Sequence, residues 1–520
     1  MMMSRRKKIF GALALAVVVG AVLRFWHLGV VPLRADEFLD MNAAVGYAQT
    51  GQWVSWDHNM ERVSTRINPA SDARAWLYRW QVATLVRFAE PTEAVARSVS
   101  ALWGVLTILV VYMVATSLTR RRAIGVIAAA LFALSVSGIQ MDRTLRMYAM
   151  FAPVFLMFSW MTFLALERAP RAGMLRRAWR VLGVHLGYAV AALALGVLSL
   201  HLHALTANIV FVLVGYLLAM SVVRWREGVT MRANRYVRLL VLGALFGGAL
   251  ALLAPQSLAA LTAGIVFWED HWSYLGHIAR DYAHPLLALG LYVLGVGSLW
   301  RSRVRAQRAG AAYLDATVGM IVFAAIFLWH RNVGPQYIFF VQPFVMIGVA
   351  SGIYYGARYL AAHLPGRHVF GSVVALALLL VPNYGYFLQE NNTYHITSRS
   401  ETPNYRKVFG YVKKRLQPGD VLVTRNFRNY YYRDAHVPVF DFGSERDADA
   451  LAREGKAQKI TLSYLQRIMT QHPHGWVVLA DNDERFVTKE AQAYIQTHMT
   501  RVSHPRVRGP ISVWRWGVSK

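Results

Sequence analysis

Residues 98–118 read SVSALWGVLTILVVYMVATSL, a run that contains no charged side chain. A helix needs about 20 mostly apolar residues to cross the hydrocarbon core of a bilayer, so this run is long enough to span a membrane. Similar runs lie near residues 9–26, 123–139, 149–167, 182–200, 204–223, 239–256, 285–300, 314–329, 337–356 and 368–386. The sequence therefore predicts an all-α polytopic membrane domain of about eleven transmembrane helices.

The composition of the 520-residue chain agrees with membrane embedding, because 56% of its residues are hydrophobic and only 16% are charged. Lys and Arg number 56 against 28 Asp and Glu. These basic residues lie in short clusters between the apolar runs rather than on one face, so no nucleic-acid partner is expected. The chain has no cysteine, which excludes thiol nucleophiles, disulfides and cysteine-ligated zinc.

Basic clusters alternate with charge-poor loops along the chain. The clusters lie at residues 5–8, 120–122, 168–180, 224–238, 301–308 and 358–367. By the positive-inside rule, they place the N-terminus in the cytoplasm. An odd number of spans then places the C-terminus on the periplasmic or extracellular side, and we expect a multi-pass protein of the cell inner (plasma) membrane.

Two long segments divide the chain into predicted domains. Residues 1–386 are predicted to form the transmembrane domain, in which the first outer loop, residues 27–96, contains Trp- and Tyr-rich helices at the membrane interface. Residues 387–520 change character, since short strand-like runs alternate with helical stretches there. This pattern predicts a small C-terminal α/β domain outside the cytoplasm.

Three carboxylates follow the first apolar run, namely Asp36, Glu37 and Asp40. The i, i+4 spacing of Asp36 and Asp40 places both on one face of a helix. Carboxylates in such a position can act as general bases. The alternative is structural: Asp36 could cap a helix that starts at Glu37, with the acids complementing the helix dipole. Position alone does not separate the two interpretations.

A second candidate site lies between the third and fourth runs, on the otherwise charge-poor outer side. Here Arg143 and Arg146 are accompanied by Asp142 and Tyr148. Arg is suited to bidentate binding of a phosphate, and it is costly near a membrane unless an anion pairs with it. These residues therefore predict a phosphate-binding site, with a structural Arg–Asp pair as the alternative.

Other candidate residues carry weaker signals. His203 could bind a substrate hydroxyl or a metal, or simply be the polar end of a helix. Glu269 and Asp270 lie in an acidic outer loop without a defined ligand spacing, so a divalent metal cofactor is left open. Arg331 and Tyr337 could reach a phosphate or a sugar, or line a solvated loop. The chain lacks P-loop, zincin and nucleophile-elbow motifs, which disfavours those enzyme classes.

Several short stretches resemble membrane glycosyltransferases of the GT-C superfamily, which include protein O-mannosyltransferases and the lipid A aminoarabinose transferases. The matching stretches are LRF at 23–25, PLRADE at 32–37, EAVARSVSALWG at 93–104 and RMYAM at 146–150. The resemblance implies an inverting transfer of a sugar from a polyprenyl-phosphate donor, with Asp36 as catalytic base. Glu37 would support it, while Arg143 or Arg146 stabilises the departing lipid phosphate.

The expected partners are thus the polyprenyl-phosphate-linked sugar, a glycan, lipid or protein acceptor, and membrane lipids. Two other functions remain open at this point. One is a transporter or flippase of lipid-linked saccharides, although the polar residues gather in outer loops rather than near the membrane midplane where transporters bind. The other is a polysaccharide polymerase or ligase that uses a lipid diphosphate.

Overall fold

The computed structural model describes residues 2–64, 73–170, 173–262, 265–330, 333–366, 368–397, 399–400, 402–441, 460–481 and 483–517. The chain forms two compact units, each assembled from two separate stretches. The transmembrane unit comprises Met1–Trp26 and Ser100–Leu388, and the α/β unit comprises His27–Val99 and Gln389–Lys520. The predicted division into domains between residues 386 and 387 stays a prediction.

The described residues are mostly helical. In chain order the helices are α1 (Met2–Phe25), α2 (Ala35–Thr50), α3 (Trp76–Phe88), α4 (Glu93–Thr119), α5 (Arg122–Ala133), α6 (Val136–Asp142), α7 (Tyr148–Glu167), α8 (Gly173–Leu182), α9 (Leu186–Leu202), α10 (Ile209–Arg226), α11 (Arg235–Leu253), α12 (Pro255–Thr262), α13 (Ser273–Ala279), α14 (Pro285–Trp300), α15 (Arg305–Phe327), α16 (Pro335–Ile338), α17 (Gln342–His363), α18 (Val369–Leu380) and α19 (Tyr405–Lys413). They are followed by the helices Leu462–Gln471 and Lys489–His498.

Seven helices in the described part of the chain are long and apolar enough to cross a membrane, or eight if the bent pair α5 and α6 forms one span. The helices α9, α14 and α18 are apolar but shorter. Each apolar run of the sequence coincides with one of these helices or with the bent pair. The predicted polytopic helical architecture is therefore confirmed and the protein is a multi-pass membrane protein, while the count of eleven spans stays a prediction.

Glycines let α14 and α17 pack with their backbones in contact. A Cβ added to Gly295 of α14 would lie 2.3 Å from the carbonyl oxygen of Gly348 in α17. One added to Gly352 would lie 1.9 Å from the carbonyl oxygen of Leu291. Small residues at helix contacts stabilise membrane helices mainly through close van der Waals packing. This pair is therefore closely joined within the transmembrane unit.

The α/β unit contains a five-stranded sheet with the order β4-β3-β5-β7-β6. Its strands are β3 (Val421–Val423), β4 (Val439–Phe440), β5 (Gly475–Ala480), β6 (Thr500–Arg501) and β7 (Ile511–Trp516). The strands β4, β3 and β5 run parallel, whereas β7 pairs antiparallel with both β5 and β6. A separate antiparallel pair joins β1 (Trp56–Asp57) to β2 (Arg62–Val63).

Buried side chains of the sheet pack against the two C-terminal helices. The shared core includes Val423, Leu465, Val477, Ile495 and Trp516. Alternation of short apolar strands with amphipathic helices is the pattern of an α/β layer. The small C-terminal α/β region predicted from the sequence is thus confirmed.

Residues of the first loop pack onto the C-terminal part of the same unit. The ring of Phe38 in α2 contacts the rings of Tyr405 and Tyr431 edge-to-face, at centroid distances of 5.3 and 5.5 Å. The side-chain amide of Asn42 donates to the carbonyl oxygen of Phe427 at 3.0 Å. These contacts hold α2 within the α/β unit.

Candidate active site

Glu37 forms a buried ion pair at the start of α2. Its side chain is 1% exposed, and the guanidinium of Arg97 donates from Nε to Oε1 at 2.8 Å and from Nη2 to Oε2 at 2.7 Å. Such a two-pronged Arg–carboxylate contact fixes orientation as well as distance. Glu37 also accepts from the backbone N–H of Arg34 at 2.9 Å, so it closes the first turn of α2.

Arg97 also holds the loop that leads into α2. Its guanidinium donates to the carbonyl oxygens of Val31 at 2.7 Å, Pro32 at 3.1 Å and Leu28 at 3.2 Å. One side chain from α4 therefore fixes both the entering loop and the first helical turn.

Asp36 and Asp40 have different surroundings although they share a helical face. Asp40 is 2% exposed and pairs with Arg79 of α3 at 2.6 Å, measured from Nε to Oδ1. Asp36 is exposed. The helix begins at Ala35 after the N-cap Arg34, so the alternative in which Asp36 caps a helix starting at Glu37 is wrong. Of the three acids, Asp36 is the one that presents its side chain to solvent.

An open pocket of about 350 Å³ lies in the same unit, and Arg34 lines it two residues before Asp36. Arg425, Arg428 and Arg485 also line this pocket, together with two aspartates. Arg428 is fully buried and paired with Asp483. The arginines exceed the acids, so the pocket favours an anionic ligand.

In the transmembrane unit, the candidate arginines follow a helix that is broken. The axes of α5 and α6 differ by 61° at the break. The guanidinium of Arg24 donates to the carbonyl oxygens of Ala133 at 3.1 Å and Phe132 at 3.3 Å, at the end of α5. The backbone N–H of Ser137 donates to Oδ1 of Asp281 at 2.7 Å. The break is stable because charged side chains bind the backbone groups that it exposes.

Asp281 is itself buried. Burial raises the pKa of Asp281 to about 6, against the hydrogen bonds from Ser137 and Ser135, which lower it. Its two oxygens accept from the backbone N–H of Ser137 and from the hydroxyl of Ser135. The sequence places Asp281 in the same acidic outer loop as Glu269 and Asp270, but it does not predict this role, because the partners of Asp281 lie more than a hundred residues away.

Asp142 and Arg143 take up structural contacts at the end of α6. Asp142 accepts from Nε of Arg24 at 2.7 Å, and both side chains are buried. Arg143 donates to the carbonyl oxygens of Trp26 at 2.6 Å and Arg24 at 3.0 Å, at the C-terminal end of α1. The Arg–Asp pair foreseen as the alternative thus exists, but it joins Asp142 to Arg24 rather than to its neighbour.

Arg146 lies in an aromatic cluster with three other candidate residues. Its guanidinium carbon is 5.7 Å from the ring centroid of Tyr148. The ring of His203 is 5.4 Å from that of Tyr148 and 6.2 Å from that of Tyr337. The backbone N–H of Leu205 donates to Nδ1 of His203, so the neutral ring carries its proton on Nε2 and can donate there. The structure therefore groups Arg146, Tyr148, His203 and Tyr337.

Glu269 has other contacts in the described part of the chain. Oε1 of Glu269 lies 2.6 Å from Nδ1 of His330, and Oε2 of Glu269 lies 3.4 Å from Nε2 of His271. Asp270 is exposed. Arg331 lies outside the described residues. Among the residues that the structure describes, no group of three or more His, Cys, Asp or Glu side chains is placed to hold a metal ion.

Comparison with known proteins identifies the architecture. No protein-family model matches the chain, and no curated protein matches it in sequence. The structure is similar to that of ArnT from Cupriavidus metallidurans in the apo state, with a TM-score of 0.54 at 16% identity, over 98% of each chain. It is also similar to the Archaeoglobus fulgidus oligosaccharyltransferase tethered with an acceptor peptide, with a TM-score of 0.58 at 12% identity, over 92% of this chain and 70% of the other.

The chain has the GT-C glycosyltransferase fold. The resemblance drawn from the sequence is thus confirmed at the level of fold. A second structure of ArnT from Cupriavidus metallidurans, bound to undecaprenyl phosphate, is similar over 97% of this chain and 98% of the other, with 15% identity and a TM-score of 0.50. That neighbouring structure therefore holds a polyprenyl phosphate.

The structural roles of three residues were not predicted from the sequence. Arg97 holds Glu37, Arg24 holds Asp142, and Asp281 holds Ser137. A signal existed for the first two, because each is a charged residue within or beside an otherwise apolar run, where a buried partner is expected. No such signal identified which residue the partner would be.

Proposed function

We propose that this protein is an inverting glycosyltransferase that moves a sugar from a polyprenyl-phosphate donor to an acceptor at the outer face of the membrane. The observation that carries the proposal is the separation of the three acids on α2. Glu37 and Asp40 are buried, whereas Asp36 is exposed on the same first turns. A rigid helix start that presents one carboxylate suits a general base.

In this proposal Asp36 takes the proton from the acceptor hydroxyl. The acceptor oxygen forms a bond to the anomeric carbon of the sugar as the bond from that carbon to the phosphate oxygen breaks. The polyprenyl phosphate leaves with the bonding electron pair. Glu37 acts as a positioning residue, because Arg97 and the N–H of Arg34 occupy its carboxylate.

Arg146 is the residue we assign to the departing phosphate. Its guanidinium stacks near Tyr148, and His203 can donate from Nε2 beside the same ring. Cationic and neutral donors grouped in this way stabilise charge that develops on a leaving phosphate. Arg143 is assigned a supporting role, since it donates to the end of α1. Arg331 stays a candidate for the donor phosphate, and Glu269, Asp270 and Tyr337 stay candidates for substrate contacts.

The acceptor is assigned to the pocket beside Arg34. Its excess of arginines over aspartates suits an acceptor that carries negative charge. We further propose that the protein lies in the bacterial inner membrane with its N-terminus in the cytoplasm and the C-terminal residues in the periplasm. The basic clusters between spans support that orientation.

The test is the exchange Asp36→Asn, with Glu61→Gln as the matched control because Glu61 is an exposed acid of the same unit. A positioned general base contributes about 10²- to 10⁴-fold to a rate. We expect Asp36→Asn to lower turnover by at least about 100-fold, with the melting temperature unchanged. Mass spectrometry of membrane lipids from producing cells should show accumulation of a polyprenyl-phosphate sugar and loss of a glycosylated product.

Near wild-type product from Asp36→Asn would contradict the assignment of the base. A lipid-linked saccharide that is moved across the membrane but never consumed would instead identify a flippase. Accumulation of a lipid diphosphate rather than a monophosphate would identify a polymerase or ligase.

A further inference from the structure

A groove in the transmembrane unit is lined by cations at one end and by apolar side chains at the other. Its volume is about 900 Å³, and it is open rather than enclosed. The cations are Lys8, Arg120, Arg121, Arg122 and Arg358. No carboxylate lines the groove.

The position of these cations follows from the direction of their helices. Lys8 lies near the start of α1, Arg120 follows the end of α4, and Arg122 starts α5. Arg358 lies in the C-terminal part of α17. The cations therefore meet at the membrane face where α1 begins, which is the predicted cytoplasmic face.

All five cations are exposed. In the described part of the chain, no salt bridge joins any of the five to an Asp or Glu, while Glu167 and Glu227 pair with Arg235 and Arg308. Arg121 interacts with the hydroxyl of Tyr355. Mutual repulsion of five clustered cations opposes their assembly, so a bound anion would stabilise the arrangement.

Arg120 places a cation at this face although its backbone conformation is unfavourable for a residue other than glycine. Its φ of 56° is left-handed, at a helix end where glycine is favoured. This conformation is unfavourable for a residue other than glycine, because its Cβ lies too close to the following carbonyl oxygen. The exposed guanidinium at this position is a feature that helix termination alone does not require.

The rest of the groove is apolar. Ile9 of α1, Ile127 of α5, and Phe370 and Val374 of α18 line it. An apolar wall that continues from a cluster of cations matches a molecule with an anionic head and a hydrocarbon chain. Basic pockets between transmembrane helices on the cytoplasmic side bind anionic lipid head groups in this way.

We propose that this groove is a binding site for an anionic glycerophospholipid, with the phosphate held by Arg121 and Arg358 and one acyl chain against Phe370 and Val374. The site is independent of the proposed transfer reaction. The positive-inside rule explains why Arg is frequent on this face, but it requires neither a groove nor an apolar wall beside the cations.

The test is lipid binding by the purified full-length protein in detergent, measured by native mass spectrometry with phosphatidylglycerol and, for comparison, phosphatidylcholine. The test variant is Arg121→Gln with Arg358→Gln. The control variant, Arg301→Gln with Arg303→Gln, removes the same charge from exposed residues of a neighbouring loop that does not line the groove. Each arginine near an anionic lipid increases the affinity for that lipid about fivefold.

We expect phosphatidylglycerol to bind the test variant about 25-fold more weakly, from two factors of about five, and the control variant as tightly as the wild type. A third variant, Val374→Trp, keeps every cation and fills the apolar end, so it should also weaken phosphatidylglycerol binding. Equal losses in test and control variants would overturn the proposal in favour of general surface charge. Full displacement of phosphatidylglycerol by millimolar inorganic phosphate would overturn it in favour of a free-anion site.

Discussion

Replacement of Arg97 by methionine should destabilise the protein more than loss of any other single polar side chain of the candidate site. The exchange removes five hydrogen bonds, two to Glu37 and three to the carbonyl oxygens of the preceding loop. It also leaves the carboxylate of Glu37 buried without its cation. Breaking a buried ion pair by removal of one partner costs about 3–5 kcal/mol.

The assay is thermal unfolding of the purified protein in detergent, followed by the fluorescence of its 16 Trp residues. Arg97→Met should lower the melting temperature by several degrees and abolish sugar transfer, because Asp36 loses its fixed helix start. The double variant Arg97→Met with Glu37→Gln should have a higher melting temperature than Arg97→Met alone, since burial of a neutral amide costs less free energy than burial of an unpaired carboxylate. A double variant as unstable as the sum of the two single variants would refute the reasoning.

Three further predictions concern other regions. Arg146→Lys should raise the KM for the lipid donor about tenfold or more, because the planar, bidentate guanidinium is lost. Steady-state kinetics would measure this change, and an unchanged KM would exclude Arg146 from the donor site. Burial, aided by the charge of Arg433, lowers the pKa of His58 to about 4, so the unfolded chain binds a proton that the folded chain excludes between about pH 6.5 and 4. Stability should therefore fall as the pH is lowered through that range, by on the order of 3 kcal/mol in total, and the exchange His58→Gln should flatten this dependence in pH-resolved denaturation. The chain lacks cysteine, so single cysteines can report the topology. A cysteine placed at Glu490 should react with a membrane-impermeant maleimide in intact spheroplasts, whereas one placed at Arg303 should react only after lysis. The reverse pattern would show that the proposed topology is inverted.

The membrane-spanning architecture could be predicted from the sequence because the bilayer imposes a length and a polarity that every span must satisfy. The C-terminal sheet could also be predicted, since short apolar strands such as Val421–Val423 and Gly475–Ala480 alternate with helices. The packing of α2 onto residues such as Tyr405 and Tyr431 could not. Those contacts join residues several hundred positions apart, and local pattern carries no information about such partners.

The candidate site was predictable in composition but not in the roles of its members. Helical spacing places Asp36 and Asp40 on one face, yet it does not tell which of them is buried. Their environments differ because Arg79 pairs with Asp40 and Arg97 pairs with Glu37. Each of these partners comes from another helix, so only the folded structure separates the exposed acid from the two structural ones.

The pairing of Arg24 with Asp142 has a consequence for how the protein is made. The two residues are 118 positions apart in the chain. Because chains are synthesised at about 5–20 residues per second, Asp142 is added roughly 6–24 s after Arg24. During this interval the end of the first helix carries an unneutralised guanidinium, which must remain at the aqueous boundary or within the insertion machinery. Newly made N-terminal fragments that end before residue 142 are therefore expected to be poor substrates for release into the lipid phase and good ones for quality-control proteolysis.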